Sequence, residues 1–70
     1  KFTYKEKLEF ERLQNEIDML EKEQIQIEES LCSGSLSIAE ITELSKRLPL
    51  LKEELDEKSM RWLELSEIGG

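Results

Sequence analysis

The chain has 70 residues, with 17 acidic and 10 basic side chains, no histidine, one cysteine and one proline. A domain of this size buries only a small core, and such domains often rely on disulfides or a bound metal. A single cysteine excludes an internal disulfide, and the lack of histidine excludes an ordinary zinc site. The net charge of −7 argues against nonspecific nucleic-acid binding over the whole surface, because phosphate contacts need clustered Lys and Arg. What remains is a helical assembly that buries a narrow apolar stripe, or a chain that folds on a partner.

The sequence also carries information about its cellular context. No apolar run approaches the roughly 20 residues that a membrane span needs, so we expect no membrane insertion. The chain does not begin with Met, and we therefore expect it to be a piece of a longer protein. The unpaired Cys32 and the absence of secretion features favour the cytoplasm.

The first predicted element is a helix over about residues 4–32. Thr3 followed by Glu6 forms a capping box, in which each side chain accepts a hydrogen bond from the backbone of the other residue. Gly34 lies just past the predicted end, where a left-handed residue commonly closes a helix. This segment is rich in Glu, Lys and Leu, which favour helix formation.

A loop over about residues 33–37 separates this helix from a second one. Ser37 and Glu40 repeat the capping-box pattern, so we expect the second helix to begin directly after Ser37 and to run over about residues 38–67. No segment shows the alternating pattern of a β-strand.

The spacing of the apolar residues predicts how the helices pack. Each helix carries one seam with alternating steps of three and four residues, interrupted once by a polar side chain. The seam positions are Phe10, Leu13, Ile17, Leu20, Gln24, Ile27 and Leu31 in the first helix, and Ile41, Leu44, Leu48, Leu51, Leu55, Lys58, Trp62 and Leu65 in the second. A short loop makes such helices antiparallel neighbours. We therefore predict an all-α fold, a two-helix antiparallel coiled-coil hairpin that forms a single domain over residues 1–70.

The loop also predicts the register of the hairpin. A turn between Ser35 and Leu36 pairs residues whose numbers add up to roughly 71. The aromatic residues then gather at the end that holds both termini, where Tyr4, Phe10, Trp62 and Leu65 are expected to fill the space between the helices.

Pro49 interrupts the second helix of this scheme. A proline inside a helix removes one hydrogen bond and clashes with the carbonyl four residues earlier, here that of Ser45. We expect either a helix kinked near Pro49 or two short helices that meet there.

The acidic side chains are interpreted as solvated helix faces. Catalytic carboxylates need a concave site that shifts their pKa values, which a two-helix rod does not provide. We therefore predict no catalytic, cofactor-binding or metal-binding residue and no enzymatic activity in this fragment. Two acid-first pairs, Asp18 with Lys22 and Glu54 with Lys58, have the i,i+4 spacing that supports a helix.

Six of the ten basic residues come together at the end that holds the termini, beside Tyr4 and Trp62. Basic side chains with interleaved aromatic residues can hold the backbone and the bases of a nucleic acid. The six are Lys1, Lys5, Lys7, Arg12, Lys58 and Arg61. The alternative is that these residues are solvated and that Trp62 belongs to the seam, because acidic residues at the same end nearly cancel the charge.

Several segments resemble a known domain. The opening Phe2-Thr3-Tyr4-Lys5-Glu6 is similar to the Ser-Tyr-Lys-Glu motif that begins the C-terminal domain of ABC-F family ATPases of the Uup type. The segments 13–23, 44–48 and 61–65 resemble the two helices of that domain. The specific part of the match is the Tyr-Lys-Glu start together with Arg61-Trp62-Leu63-Glu64-Leu65 at this separation. The resemblance covers nearly the whole chain.

The resemblance implies a function that the spacing alone does not. It implies a non-catalytic domain at the C-terminus of a larger cytoplasmic protein, whose other domains bind ATP and Mg²⁺. It also implies contacts with DNA or with the ribosome, and contacts with the other domains of the parent protein. The candidate nucleic-acid contact residues that it implies are Lys5, Lys7, Arg12, Lys58 and Arg61. The alternative function is a structural or protein-interaction coiled coil that spaces its parent or dimerises it by self-association.

Overall fold

The chain folds as a hairpin of two long helices in the computed structural model, which describes residues 1–69. Helix α1 spans Tyr4–Ser33 and helix α2 spans Ile38–Gly69. The helices pack against each other along their length, and together they form a rod of 50 × 15 × 15 Å. The predicted all-α hairpin is confirmed.

Both helix starts are built from capping boxes. At α1 the Thr3 hydroxyl accepts a hydrogen bond from the backbone N–H of Glu6 (3.2 Å), and the Glu6 carboxylate accepts one from the N–H of Thr3 (2.9 Å). Ser37 and Glu40 exchange the same two bonds at the start of α2, each at 3.2 Å. These bonds satisfy amide groups that a helix start would otherwise leave without a partner.

The turn between the helices depends on one glycine. Gly34 caps α1 with φ 73° and ψ 6°, the left-handed conformation that a residue with a Cβ adopts only at a cost in strain. Only the short segment 34–37 remains outside the helices at this end, and it returns the chain directly onto α1.

The observed register agrees with the predicted one. Phe10 stacks on Trp62 with ring centroids 5.3 Å apart, and Glu23 binds Arg47. The numbers of these pairs add up to 72 and 70, on either side of the predicted value of about 71. The capping glycine and the second capping box therefore fix which residues meet across the rod.

The interior is a single row of apolar side chains. The fully buried or nearly buried members are Leu13, Ile27, Leu51 and Leu65, and most other seam residues are half-buried. Ile41 departs from its predicted seam role, because 42% of its surface is exposed. It lies in the first turn of α2, next to the loop, where no further helical turn covers it.

Helix α2 continues through Pro49 as one helix, so the alternative of two short helices is wrong. The seam explains this continuity. Leu48 and Leu51 flank the proline and both contribute to the interior, with Leu51 fully buried. Packing against α1 therefore holds the helix together on both sides of the missing hydrogen bond. A local bend at Pro49 stays a prediction.

Candidate nucleic-acid interface

An aromatic cluster lies at the end of the rod that holds both termini, which we call the terminal end (residues 1–12 and 58–69). Phe2 packs against Phe10 with ring centroids 5.2 Å apart, and Phe10 stacks on Trp62. The backbone nitrogen of Lys1 donates a hydrogen bond to the carbonyl of Ile68 (3.0 Å). These contacts attach the first residues of the chain to the end of α2.

The predicted place of Tyr4 in this cluster is wrong. Its side chain is 77% exposed, and Phe2 takes the position over Phe10 instead. Tyr4 is the first residue of α1, and the residues that precede a helix are free to fold back over its inner face. The sequence signal for Phe2 was its apolar side chain directly before the Thr3 cap, the usual site of an apolar residue that packs onto the first turns of a helix.

Ion pairs cross from α1 to α2 along one side of the seam, which we call the ion-pair side. Arg61 donates two hydrogen bonds to the Glu9 carboxylate, both of 3.0 Å, and a weaker contact of 3.8 Å joins it to Glu64. Arg47 donates two hydrogen bonds to Glu23, of 2.8 and 3.1 Å. Such bidentate ion pairs fix the relative position of the two helices and also attract them to each other.

The middle of the ion-pair side has a different arrangement. The acids Glu9, Glu16 and Glu23 are seven residues apart, and so are the positions 47, 54 and 61 of α2 that face them. Position 54 is a glutamate, so two acids meet at the centre, and both line the same hollow. Lys58 extends from the seam one turn away and donates to Glu16 at 3.0 Å. Its ammonium therefore offsets the repulsion between the two carboxylates.

The arginine pairs shift the acidities of their partners. The hydrogen bond from Arg61 lowers the pKa of Glu9, against a smaller opposing effect of burial. The hydrogen bond from Arg47 lowers the pKa of Glu23 in the same way. The same bonds raise the pKa of both arginines above their usual value. All four groups therefore stay charged at neutral pH.

The five predicted contact residues divide into two groups. Lys58 and Arg61 are already held by Glu16 and Glu9. Lys5, Lys7 and Arg12 are exposed, and within residues 1–69 none of them forms an ion pair. Lys5 and Arg12 are seven residues apart and share one side of α1, whereas Lys7 lies on the opposite flank. Three of the predicted contact residues are therefore uncommitted cations, on two sides of α1, and the exposed ring of Tyr4 lies at the start of the same helix.

The predicted pairs within single helices are wrong. Across the described part of the chain no ion pair joins Asp18 to Lys22 or Glu54 to Lys58. Lys58 binds Glu16 on the other helix instead, because its seam position directs the ammonium between the helices. The signal that could have found the ion-pair side was the seven-residue spacing of Glu9, Glu16 and Glu23.

Other kinds of site find little support in the described residues. Among residues 1–69 no three Cys, Asp or Glu side chains come close enough to hold a metal ion. Cys32 is exposed on the last turn of α1. Neither described helix is both long and apolar enough to pass through a bilayer.

The family model described as the ABC transporter C-terminal domain matches residues 1–67, which is nearly the whole chain. No curated protein and no solved structure matched the chain.

Proposed function

The chain belongs to the ABC transporter C-terminal domain family, and on that premise we propose that it serves a cytoplasmic ABC-F protein of the Uup type as a nucleic-acid-binding accessory domain. In this proposal the terminal end contacts DNA or ribosomal RNA. ATP and Mg²⁺ are bound by other domains of the parent protein, and this domain adds binding rather than hydrolysis.

The charge distribution along the rod supports the proposal. The terminal end carries six bases and five acids, a local charge of +1, while residues 13–57 carry four bases and twelve acids, a charge of −8. A phosphate backbone is therefore repelled by most of the rod and is tolerated only at the terminal end. An anionic partner should meet the rod end-on.

The uncommitted cations carry the proposal. Lys5, Lys7 and Arg12 are exposed and unpaired among the described residues, so they can approach phosphates without first breaking an ion pair. Tyr4 offers a ring on which a base can stack, a contact that every base can make. Trp62 is engaged with Phe10, and Lys58 and Arg61 would have to exchange their carboxylates for phosphates.

A titration with a labelled 20-nucleotide single strand tests this assignment, with fluorescence anisotropy as the readout. We expect binding at 50 mM salt that weakens roughly 20-fold at 200 mM, as three phosphate contacts require. The triple variant Lys5→Glu, Lys7→Glu, Arg12→Glu should abolish it. The matched control Lys22→Glu, Lys46→Glu, Lys52→Glu changes the charge equally at three exposed positions outside the terminal end. It should weaken binding much less.

A structural role is the second candidate function. The 50 Å length of the rod suits a spacer, and large apolar side chains such as Met19 and Ile38 are exposed along it. If wild type fails to bind DNA or RNA at low salt, the nucleic-acid proposal is wrong. A mass that rises with concentration in sedimentation, and that is indifferent to the triple charge reversal, would then favour the structural role.

A further inference from the structure

The two sides of the seam differ in the contacts that join the helices. The ion pairs that join α1 to α2 in the described chain all lie on the ion-pair side. The other side of the seam is formed by residues that come directly after a seam residue in the sequence. Gln14, for example, comes after Leu13, and Leu63 comes after Trp62. Among residues 1–69 no ion pair crosses the seam there, so this side is held by apolar packing alone.

Two hollows run along this side and share Ser59, and we call them together the unbridged groove. The first has a volume of about 300 Å³ and is lined by Gln14, Ile17, Asp18, Ser59, Trp62 and Leu63. The second, of about 270 Å³, is lined by Glu21, Gln24, Lys52, Leu55, Asp56 and Ser59. Hollows on the ion-pair side contain charges that already pair with each other, such as Glu16 with Lys58.

The rim of the unbridged groove is acidic and its charges are uncommitted. Asp18, Glu21 and Asp56 stand against the single base Lys52, and within the described residues none of the four forms an ion pair. The rim therefore has a local charge of −2. A cationic partner would gain attraction here without displacing an existing pair.

The groove contains an exposed apolar side chain and a buried hydrogen-bond donor that lacks an acceptor in the described chain. The Leu63 side chain is 56% exposed at its edge. The indole N–H of Trp62 is buried and has no acceptor in the described chain. A buried donor without an acceptor is rare in a finished interior. It marks a place where the hairpin alone does not complete its packing.

We propose that the unbridged groove is a docking site for a third helix, a basic amphipathic helix of a protein partner. Its apolar side chains would lie over Leu63 and the two hollows, and its Lys or Arg side chains would face Asp18 and Asp56. This is the helix-in-groove mode of recognition, with charge complementarity on the rim. A second copy of the chain does not suit the groove, since it would bring a net charge of −7 to an acidic rim. A nucleic acid is excluded by the same repulsion, so this site is independent of the terminal end.

The probe for a test is a synthetic peptide of four heptads without tryptophan, with Leu at the seam positions and Lys at the flanking positions. A second peptide with Glu in place of Lys keeps the apolar pattern. Trp62 is the single tryptophan of the chain and lines the groove, so its fluorescence and its quenching by acrylamide report on this site. We expect one Lys peptide to bind per hairpin and to reduce the quenching, and the Glu peptide not to bind.

Paired variants locate the binding site. Asp18→Asn with Asp56→Asn should weaken binding of the Lys peptide at least fivefold. The control Glu29→Gln with Glu53→Gln removes the same charge from exposed positions that do not line the groove and should change it less than twofold. Leu63→Gln should also weaken binding, whereas Leu50→Gln, at a side chain of similar exposure near Arg47 on the ion-pair side, should not. Circular dichroism verifies that each variant remains helical.

Several outcomes would overturn the proposal. The assignment of the site is wrong if a control variant weakens binding of the Lys peptide as much as the groove variant that it is matched to. It is also wrong if the peptide binds without changing the quenching of Trp62. The proposal that the partner is basic is wrong if the Glu peptide binds as tightly as the Lys peptide. A dimer in sedimentation that Leu63→Gln abolishes would show that a second copy occupies the groove instead.

Discussion

Few side chains carry the stability of this hairpin. Leu51 and Leu65 are fully buried, and Leu13 and Ile27 nearly so. A small domain has little stability to spare, so the loss of one such side chain removes a large part of it.

Truncation of one buried leucine tests this statement at the residue scale. Leu51→Ala should destabilise the fold by about 3 kcal/mol, because it loses apolar burial and leaves a cavity. Its neighbour Leu50 is 60% exposed, and Leu50→Ala should change stability by less than about 0.5 kcal/mol. Urea unfolding followed by circular dichroism measures both. Equal losses would contradict the single-row interior.

At the scale of the element, α2 contains a proline, a residue that disfavours a helix interior. Pro49 has no N–H to donate to the carbonyl of Ser45, yet the helix continues across it. The side chain of Pro49 is exposed, so its contribution to packing is small. The burial of Leu51, two residues after it, compensates for the local cost.

Removal of the proline should therefore stabilise the hairpin. Pro49→Ala restores the missing hydrogen bond, and we expect a gain of about 2 kcal/mol after the greater freedom of the unfolded chain is subtracted. Ser45→Ala is the matched control, since it improves helix propensity one turn earlier and restores no bond. Its expected gain is about 0.5 kcal/mol. A Pro49→Ala melting temperature equal to or below that of wild type would show that the proline fits the helix without cost.

At the scale of the whole molecule, the ion pairs found within residues 1–69 join the two helices along one side of the seam. Glu9 and Glu23 have lowered pKa values because Arg61 and Arg47 hydrogen-bond to their charged forms. In the unfolded chain both carboxyls return to an ordinary pKa near 4.5. Their contribution to stability is therefore present above that pH and is lost as the pH falls through the folded-state pKa values.

Melting temperatures measured at decreasing pH test the direction of this effect. The melting temperature of wild type should fall as the pH drops below about 4.5, and the variant Glu9→Gln with Glu23→Gln should start lower and fall less. The control Glu29→Gln with Glu53→Gln removes two exposed acids that form no ion pair in the described chain, and it should follow wild type. Parallel curves for all three proteins would show that the two arginine pairs contribute nothing to folding.

Much of the fold was predictable because its signals are local. The capping boxes at Thr3 and Ser37 and the glycine at position 34 are each read within a few residues, and together they fix the register. The partners of Glu9 and Glu23 were not predicted, since cross-helix pairing follows only once the register is applied to every flanking position. For Lys58 a local rule favoured Glu54, but its seam position brings it to Glu16. The unbridged groove was also missed, because it is defined by ion pairs that form on the opposite side.

The register has a consequence for the order in which the hairpin forms. Paired residues lie farther apart in the chain the farther they are from the loop, by 24 residues for Glu23 and Arg47 and by 52 for Glu9 and Arg61. Loop closure costs about 0.6 kcal/mol more for each doubling of this separation. The helices should therefore zip together from Gly34 outward and separate first at the aromatic cluster. The cations that we assign to phosphate contacts thus lie on the part of the rod that forms last and opens most often.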